Sequence, residues 1–326
     1  MKLTTIFQIV FIFSVIIAFS SNGLNADSFA SLQFDNDTFW PAKNKDRWYT
    51  QGMLYESRGT SKPEDVGIPW LLDGFFKNFG FNRRNNWLLG QKIYTPGSVD
   101  GSKDRTDVIR DDRPYAGWLY GGGFGEKAHE NHYHRLDMIV GVMGPPAMSD
   151  ISQNGWHAAF PEGEEPYLSR GWKNQIRTEI GLVMGYTYNY RIPVYSRILD
   201  SILEANGRFG NVFQDIECGV EFRLGWLPTS FDVFRSENGF RISYKYLKKI
   251  VIHNATMQGG LFNTDDSPHT FASSEMKTGV DTEKFGLQAR ICDLTVEFSA
   301  VHISKEFVTQ PEDHYYGIIK VSKVFK

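Results

Sequence analysis

Residues 239–250 alternate between two chemical faces: Phe240, Ile242, Tyr244 and Tyr246 fall on one, while Arg241, Ser243, Lys245 and Lys248 fall mostly on the other. A period of two is the mark of an extended strand that divides two environments, because successive side chains leave a strand on opposite sides. Leu294 to Ile303 repeats the pattern, with Leu294, Val296, Phe298 and Ala300 alternating with Thr295, Glu297 and Ser299. Arg135–Gly144, Arg177–Tyr195, Asp215–Trp226 and Tyr315–Phe325 also read as strands. Beyond the N-terminal leader no apolar run reaches the roughly 18 residues of a spanning helix, so a helical membrane domain is excluded. A sandwich, a soluble barrel and an outer-membrane barrel remain.

Composition agrees with β structure: aromatic residues make up 15% of the 326 residues and there are 31 glycines. The formal charge of −3 gives no basic field to attract nucleic acid, which removes that partner class. Two cysteines, Cys218 and Cys292, allow at most one bridge and lack the paired spacing of a zinc site.

The N-terminus predicts export. Lys2 precedes an apolar stretch from Ile6 to Phe19, and small polar residues then lead to Leu24-Asn25-Ala26. This pattern predicts a secretory signal peptide over 1–26, with cleavage after Ala26, and a mature domain over 27–326. The competing reading is a membrane anchor, but the core is shorter than the roughly 20 residues such a helix needs.

Two features favour the membrane barrel over a sandwich. Tyr94, Tyr115, Trp118, Tyr120, Tyr186, Tyr188, Tyr190 and Trp226 gather near strand ends, where an aromatic girdle would lie, and the last alternating strand closes at Phe325, one residue before the terminal Lys326. Pro63 to Asn86 interrupts the pattern; Trp70, Leu71, Leu72, Phe75, Phe76 and Phe79 predict a short amphipathic helix on or near the barrel, with an ordinary core helix as the alternative.

Hydrolase signatures such as G-x-S-x-G and H-E-x-x-H are missing. Asp35-Asn36-Asp37 groups oxygen ligands as calcium sites do, although the glycine of an EF-hand loop is not in place, and a loop cap is the simpler reading. His129, His132 and His134 have metal-ligand character, since His132 and His134 share a strand face, but a solvated turn is the simpler reading. The Gly121–Gly125 run lacks a phosphate-loop lysine and reads as close backbone packing.

Four stretches in order carry a resemblance: Asp35-Asn36-Asp37-Thr38-Phe39, Asp46-Arg47-Trp48-Tyr49-Thr50-Gln51-Gly52, Gly90-Gln91-Lys92-Ile93-Tyr94-Thr95-Pro96, and Asp111-Asp112-Arg113-Pro114-Tyr115-Ala116-Gly117-Trp118-Leu119-Tyr120. Together with Gly141–Pro145, Gln153 followed by His157, Gly171–Gln175, Gly210–Val212 and Glu221–Trp226, they resemble the ordered motifs of the lipid A 3'-O-deacylase family. The resemblance implies an all-β antiparallel transmembrane barrel of about twelve strands, with short helical elements in its loops, in the bacterial outer membrane. It also implies a calcium-dependent ester hydrolase that takes lipid A or lipopolysaccharide as substrate and removes the 3'-linked acyloxyacyl group.

The same resemblance assigns roles position by position. The family's Asn-Asp pair falls on Asn36 and Asp37, its threonine on Thr50 and its Gln-x-x-x-His pair on Gln153 and His157. His157 is then the general base, with Asn36 and Gln153 beside it, while Asp37 and Thr50 hold calcium. The family's acidic residue after the histidine corresponds to Glu162, Glu164 or Glu165, since the stretch before Gly171 is longer here; its loop lysine has no clear equivalent, and Lys103 is the nearest candidate. Arg113 is a candidate anchor for lipid phosphate, or pairs with Asp111 or Asp112 to order its loop.

Strand counting gives a separate test. If the first strand ends near Phe34 at the outer rim, Trp48–Ser57 descends, Asn86–Tyr94 rises, Tyr115–Gly125 descends and Arg135–Gly144 rises, which brings Asp37, Thr50 and His157 to one rim. A non-catalytic barrel or porin would share the strands but have no use for a calcium site beside a histidine, and a secreted soluble binding protein would turn its apolar faces inward.

Overall fold

The computed structural model describes residues 28–39, 47–59, 69–81, 86–97, 108, 110–159, 168–195, 197–226, 231, 237–261 and 267–325, with backbone alone for 69–73. The leader, Lys103, Glu162, Glu164 and Glu165 lie outside these residues.

Twelve antiparallel strands close into a barrel in which each strand pairs with its sequence neighbour and β1 pairs with β12. They are β1 (Ser28–Asn36), β2 (Trp48–Arg58), β3 (Trp87–Thr95), β4 (Ala116–Ala128), β5 (His132–Met143), β6 (Glu179–Tyr195), β7 (Leu199–Gly210), β8 (Phe213–Gly225), β9 (Gly239–Asn254), β10 (Gly279–Ile291), β11 (Leu294–Ile303) and β12 (His314–Phe325). Helices α1 (Pro69–Asn78), α2 (Ser149–Ala159) and the single-turn α3 (Ala255–Gln258) lie in the connections. Closure leaves no unpaired sheet edge, the condition for a β structure to span a bilayer. Among the described residues no helix is long and apolar enough to cross a membrane.

The two faces of the wall differ as this solvent arrangement demands. Outward positions carry exposed Ile180, Leu182, Met184, Phe209, Ile216, Phe222, Phe240, Ile250 and Phe285. Inward positions carry ion pairs: Asp200 joins Arg191 and Arg223 at 2.6 Å each, Glu56 joins Arg135 at 2.7 Å, and Lys245 joins Glu204 at 2.7 Å. An interior cavity of about 760 Å³ remains, lined in part by Tyr49, Lys92, Tyr94, Trp118, Tyr120 and Tyr316.

That inward set corrects part of the expected girdle. Tyr94, Trp118 and Tyr120 face the lumen, and Tyr115 packs on Trp172 in a loop. Of the expected girdle, Tyr186, Tyr188 and Tyr190 on β6 face outward and Trp226 is exposed; on the neighbouring β5, the Nδ1 atoms of His132 and His134 lie 2.8 Å from the Tyr188 and Tyr186 hydroxyls.

β7 and β10 are strands the alternation did not disclose. Outward positions of β7 include Ala205 and Gly207, and those at the start of β10 are Asp281 and Glu283, so neither segment shows a clean apolar face. The helix expected within 63–86 is α1, where Phe76 is fully buried, while Phe79, just beyond its end, is exposed. A side chain at Gly125 of β4 would run into Phe81 and Phe76, so this glycine lets the segment close on the wall.

Candidate functional site on the outer wall

The ends of β1, β3 and β5 and the starts of β2, β4 and β6 share one rim, as the strand count required. This rim carries the connections 96–115, 144–178 and 255–278, while the opposite rim carries the short turns 129–131, 196–198 and 292–293 besides the longer 59–86 and 226–238; long external loops over short turns are the pattern of such barrels.

β1 stops pairing with β2 at Asn36 opposite Gln51, and with β12 at Asn36 opposite Gly317. Its neighbours run further, so the end of β1 leaves a notch between Trp48 of β2 and His314 of β12. A 3-10 turn over Asp37–Phe39 fills it. The Asn36 Oδ1 accepts the Thr38 backbone N–H at 2.8 Å and also the Thr38 hydroxyl, an Asx-type cap that turns the chain. Asp37 Oδ2 accepts the Arg47 backbone N–H at 3.0 Å, which ties the turn to the start of β2, and Arg47 pairs with Glu312.

A bulge between Tyr49 and Gln51 inserts Thr50 as an extra residue against β3. The Thr50 hydroxyl meets that of Thr95 at 2.7 Å. Gln33, Asp35, Lys92 and Tyr94 line the lumen, so by strand alternation Asn36 and Thr95 point outward, as do Gln51 and Gln91. Asn36, Thr50, Gln51, Gln91 and Thr95 are all buried. A band of buried polar groups thus occupies a wall face that carries apolar side chains along much of the other strands.

Helix α2 covers this band. The Gln91 amide donates to the Ala147 carbonyl at 2.6 Å, just before the helix, and a side chain at Gly117 would strike Ser149 and Ala147, so the glycine admits the helix start against β4. Further along, Trp156 packs on Phe34 of β1 with ring centroids 4.8 Å apart. From the far side, the Trp172 indole donates to Gln153 Oε1 at 2.8 Å and the Ser169 N–H donates to Asn154 Oδ1 at 2.8 Å. Gln153 and His157 are four residues apart in α2 and share one helical face; Gln153 is 1% exposed and His157 half-buried. Because Trp156 sits on Phe34, two residues before Asn36 on the same strand face, His157 belongs to the same end of the wall as Asn36 and Asp37.

The donors on the wall suit calcium by chemistry. Asp37 supplies a carboxylate and Thr50 a hydroxyl, oxygen donors of the kind a hard cation prefers. Among the described residues no three His, Cys, Asp or Glu side chains come together as a metal-holding group.

Arg113 lies elsewhere. It is fully buried in the mouth of the lumen, 2.6 Å from Glu306 and 2.9 Å from the Thr256 hydroxyl, with its guanidinium 4.1 Å from the Tyr94 ring centroid. Asp112 instead accepts the Trp48 indole N–H at 3.0 Å. Sequence reasoning did not single out Gln51, Gln91, Thr95 or His314 as site residues; the signal available was parity, since the first three are polar at outward positions.

LpxR from Salmonella typhimurium superposes with a TM-score of 0.68 at 18% identity, covering 91% of this chain and 100% of that one. The β domain of the Bordetella autotransporter BrkA follows at a TM-score of 0.44 and 8% identity, covering 92% of this chain and 100% of its own. No curated protein matches by sequence. The family model described as "Outer membrane protein LpxR" matches residues 6–325, and the chain therefore belongs to the LpxR family of outer membrane proteins.

Proposed function

We propose that the protein is a calcium-dependent ester hydrolase of the outer membrane that removes the 3'-linked acyloxyacyl group of lipid A. The observation that carries this reading is the buried polar band on the outer wall beneath α2. An ordinary barrel turns apolar groups to the bilayer at such positions, and polar groups there cost free energy unless they serve a ligand or a packed partner. A substrate that is itself a membrane lipid would reach this face laterally, without entering the lumen. Family membership and the likeness to the Salmonella barrel support the same substrate class.

His157 takes the proton from the attacking water and returns it to the departing alcohol; Gln153, held through Trp172, keeps that helical face in register. Asn36 orients the water, and Asp37 and Thr50 would hold calcium with an acidic residue of 160–167, for which Glu162, Glu164 and Glu165 are the candidates. Bound calcium would polarise the ester carbonyl and offset the negative charge that develops on its oxygen. No serine nucleophile is required. Lys103 is the candidate contact for a lipid phosphate, and the burial of Arg113 in the lumen mouth supports its loop-ordering role over contact with lipid. Incubating detergent-purified protein with lipid A, with calcium or with a chelator, tests the reading: loss of one acyloxyacyl mass with calcium alone is expected, and identical spectra in both would refute it.

A further inference from the structure

We propose that His314 is a positioning residue for the outer-wall site, setting the bulge that presents Thr50; the inference rests on the calcium-dependent reading above. The notch at the end of β1 is the reason such a residue is needed. β1 stops at Asn36, so the backbone of Tyr49 and Thr50 lies beyond its last pairing partner on that side. The Tyr49 carbonyl is instead taken by His314 Nε2 at 3.0 Å, from the first residue of β12, across the gap. Since a carbonyl only accepts, Nε2 carries the hydrogen.

The imidazole has little freedom. It is buried, edge-on to Trp48 at 5.7 Å and nearly parallel to Tyr316 at 5.7 Å. Trp48 is itself fixed in a left-handed conformation, φ 53°, with its indole bonded to Asp112 at 3.0 Å. Tyr49 is held on the lumen side by the bond from its hydroxyl to Asp35 at 2.6 Å. Both residues before Thr50 are therefore anchored, and His314 supplies the anchor on the backbone atom nearest the bulge. The same ring borders a small crevice with Asp37, Arg47 and Glu312. His314 thus reaches from the β12 side of the notch to the β2 side that carries Thr50, beside the turn that carries Asp37, and does so without contacting substrate. Its role is that of an outer-shell partner to the ligand cage.

The test is terbium luminescence, with terbium standing in for calcium, on the purified barrel without substrate, for His314→Phe, His314→Gln, Asp37→Asn and Thr50→Val. Phenylalanine keeps the stacked ring and removes the N–H; glutamine keeps a donor within reach. Barrel folding is checked in each by heat-modifiable gel migration. The expected result is that His314→Phe weakens terbium binding by about 10- to 100-fold, as outer-shell changes do, that His314→Gln recovers most of it, and that excess calcium restores hydrolysis by the Phe variant. Normal terbium affinity in His314→Phe, with loss in Asp37→Asn and Thr50→Val, would overturn the positioning role and leave the calcium reading standing. Equal loss in the Gln and Phe variants would overturn the N–H as its basis. Normal affinity in all four variants would overturn the calcium reading itself, and the inference with it.

Discussion

Trp156 of α2 rests on Phe34 of β1 with ring centroids 4.8 Å apart, and this contact fixes a loop helix to the outside of the barrel wall. Phe34 in turn packs with Phe39 at 5.5 Å, so one aromatic cluster joins the helix that carries His157 to the turn that carries Asp37. Such pairs contribute about 0.5–1.5 kcal/mol beyond the area they bury. Trp156→Ala should therefore leave the barrel folded but loosen the helix, and misplacement of this kind lowers turnover by about 100-fold. Gel migration and initial rates measured on the same preparation check both halves.

Gly117 tests the seat of the helix from its other end. A side chain there meets Ser149 and Ala147, so Gly117→Val should lift the start of α2 off β4. Proteolysis within 144–178 should become faster than in the parent protein while the strands stay protected, and hydrolysis should fall in parallel. Unchanged proteolysis would show that the helix start is not seated on Gly117.

Arg113 is a matter of stability. Removing Arg113, whose guanidinium is fully buried, strands the partly exposed Glu306, at a cost below the ~3–5 kcal/mol of a fully buried pair. Arg113→Met should lower the unfolding temperature clearly, and adding Glu306→Gln should recover part of the loss, the non-additivity expected of residues in contact. The KM for lipid A should stay within about two-fold of the parent value, well under the tenfold that 1.4 kcal/mol of lost contact would give. A large rise in KM without loss of stability would return Arg113 to the phosphate-anchoring role.

Much of the barrel was legible because a bilayer-spanning strand writes its two environments into alternate residues: β11 shows it, and β9 does so from Phe240 to Tyr246. β7 and β10 were hidden where outward positions are small or charged, and Tyr94, Trp118 and Tyr120 misled because an aromatic residue near a strand end says nothing about which face it takes. Helix α2 was not visible either. Gly155 interrupts it and Pro145-Pro146 precede it, so local propensity argues for a loop, and the helix owes its stability to Gln91, Phe34, Trp172 and Ser169 from distant parts of the chain. Candidate site residues came from motif order, while His314 gave no signal, since its role depends on β1 ending earlier than its neighbours.

The central claim is that His157 acts as a base on the outer wall. The most direct measurement is mass spectrometry of lipid A after incubation with calcium-loaded parent protein and with His157→Ala, both confirmed as folded barrels. Loss of a single acyloxyacyl mass from the 3' position with the parent, and a rate lower by about 10²- to 10⁴-fold or more with the variant, is the predicted result. Equal rates for the two proteins, or unaltered lipid A with both, would contradict it.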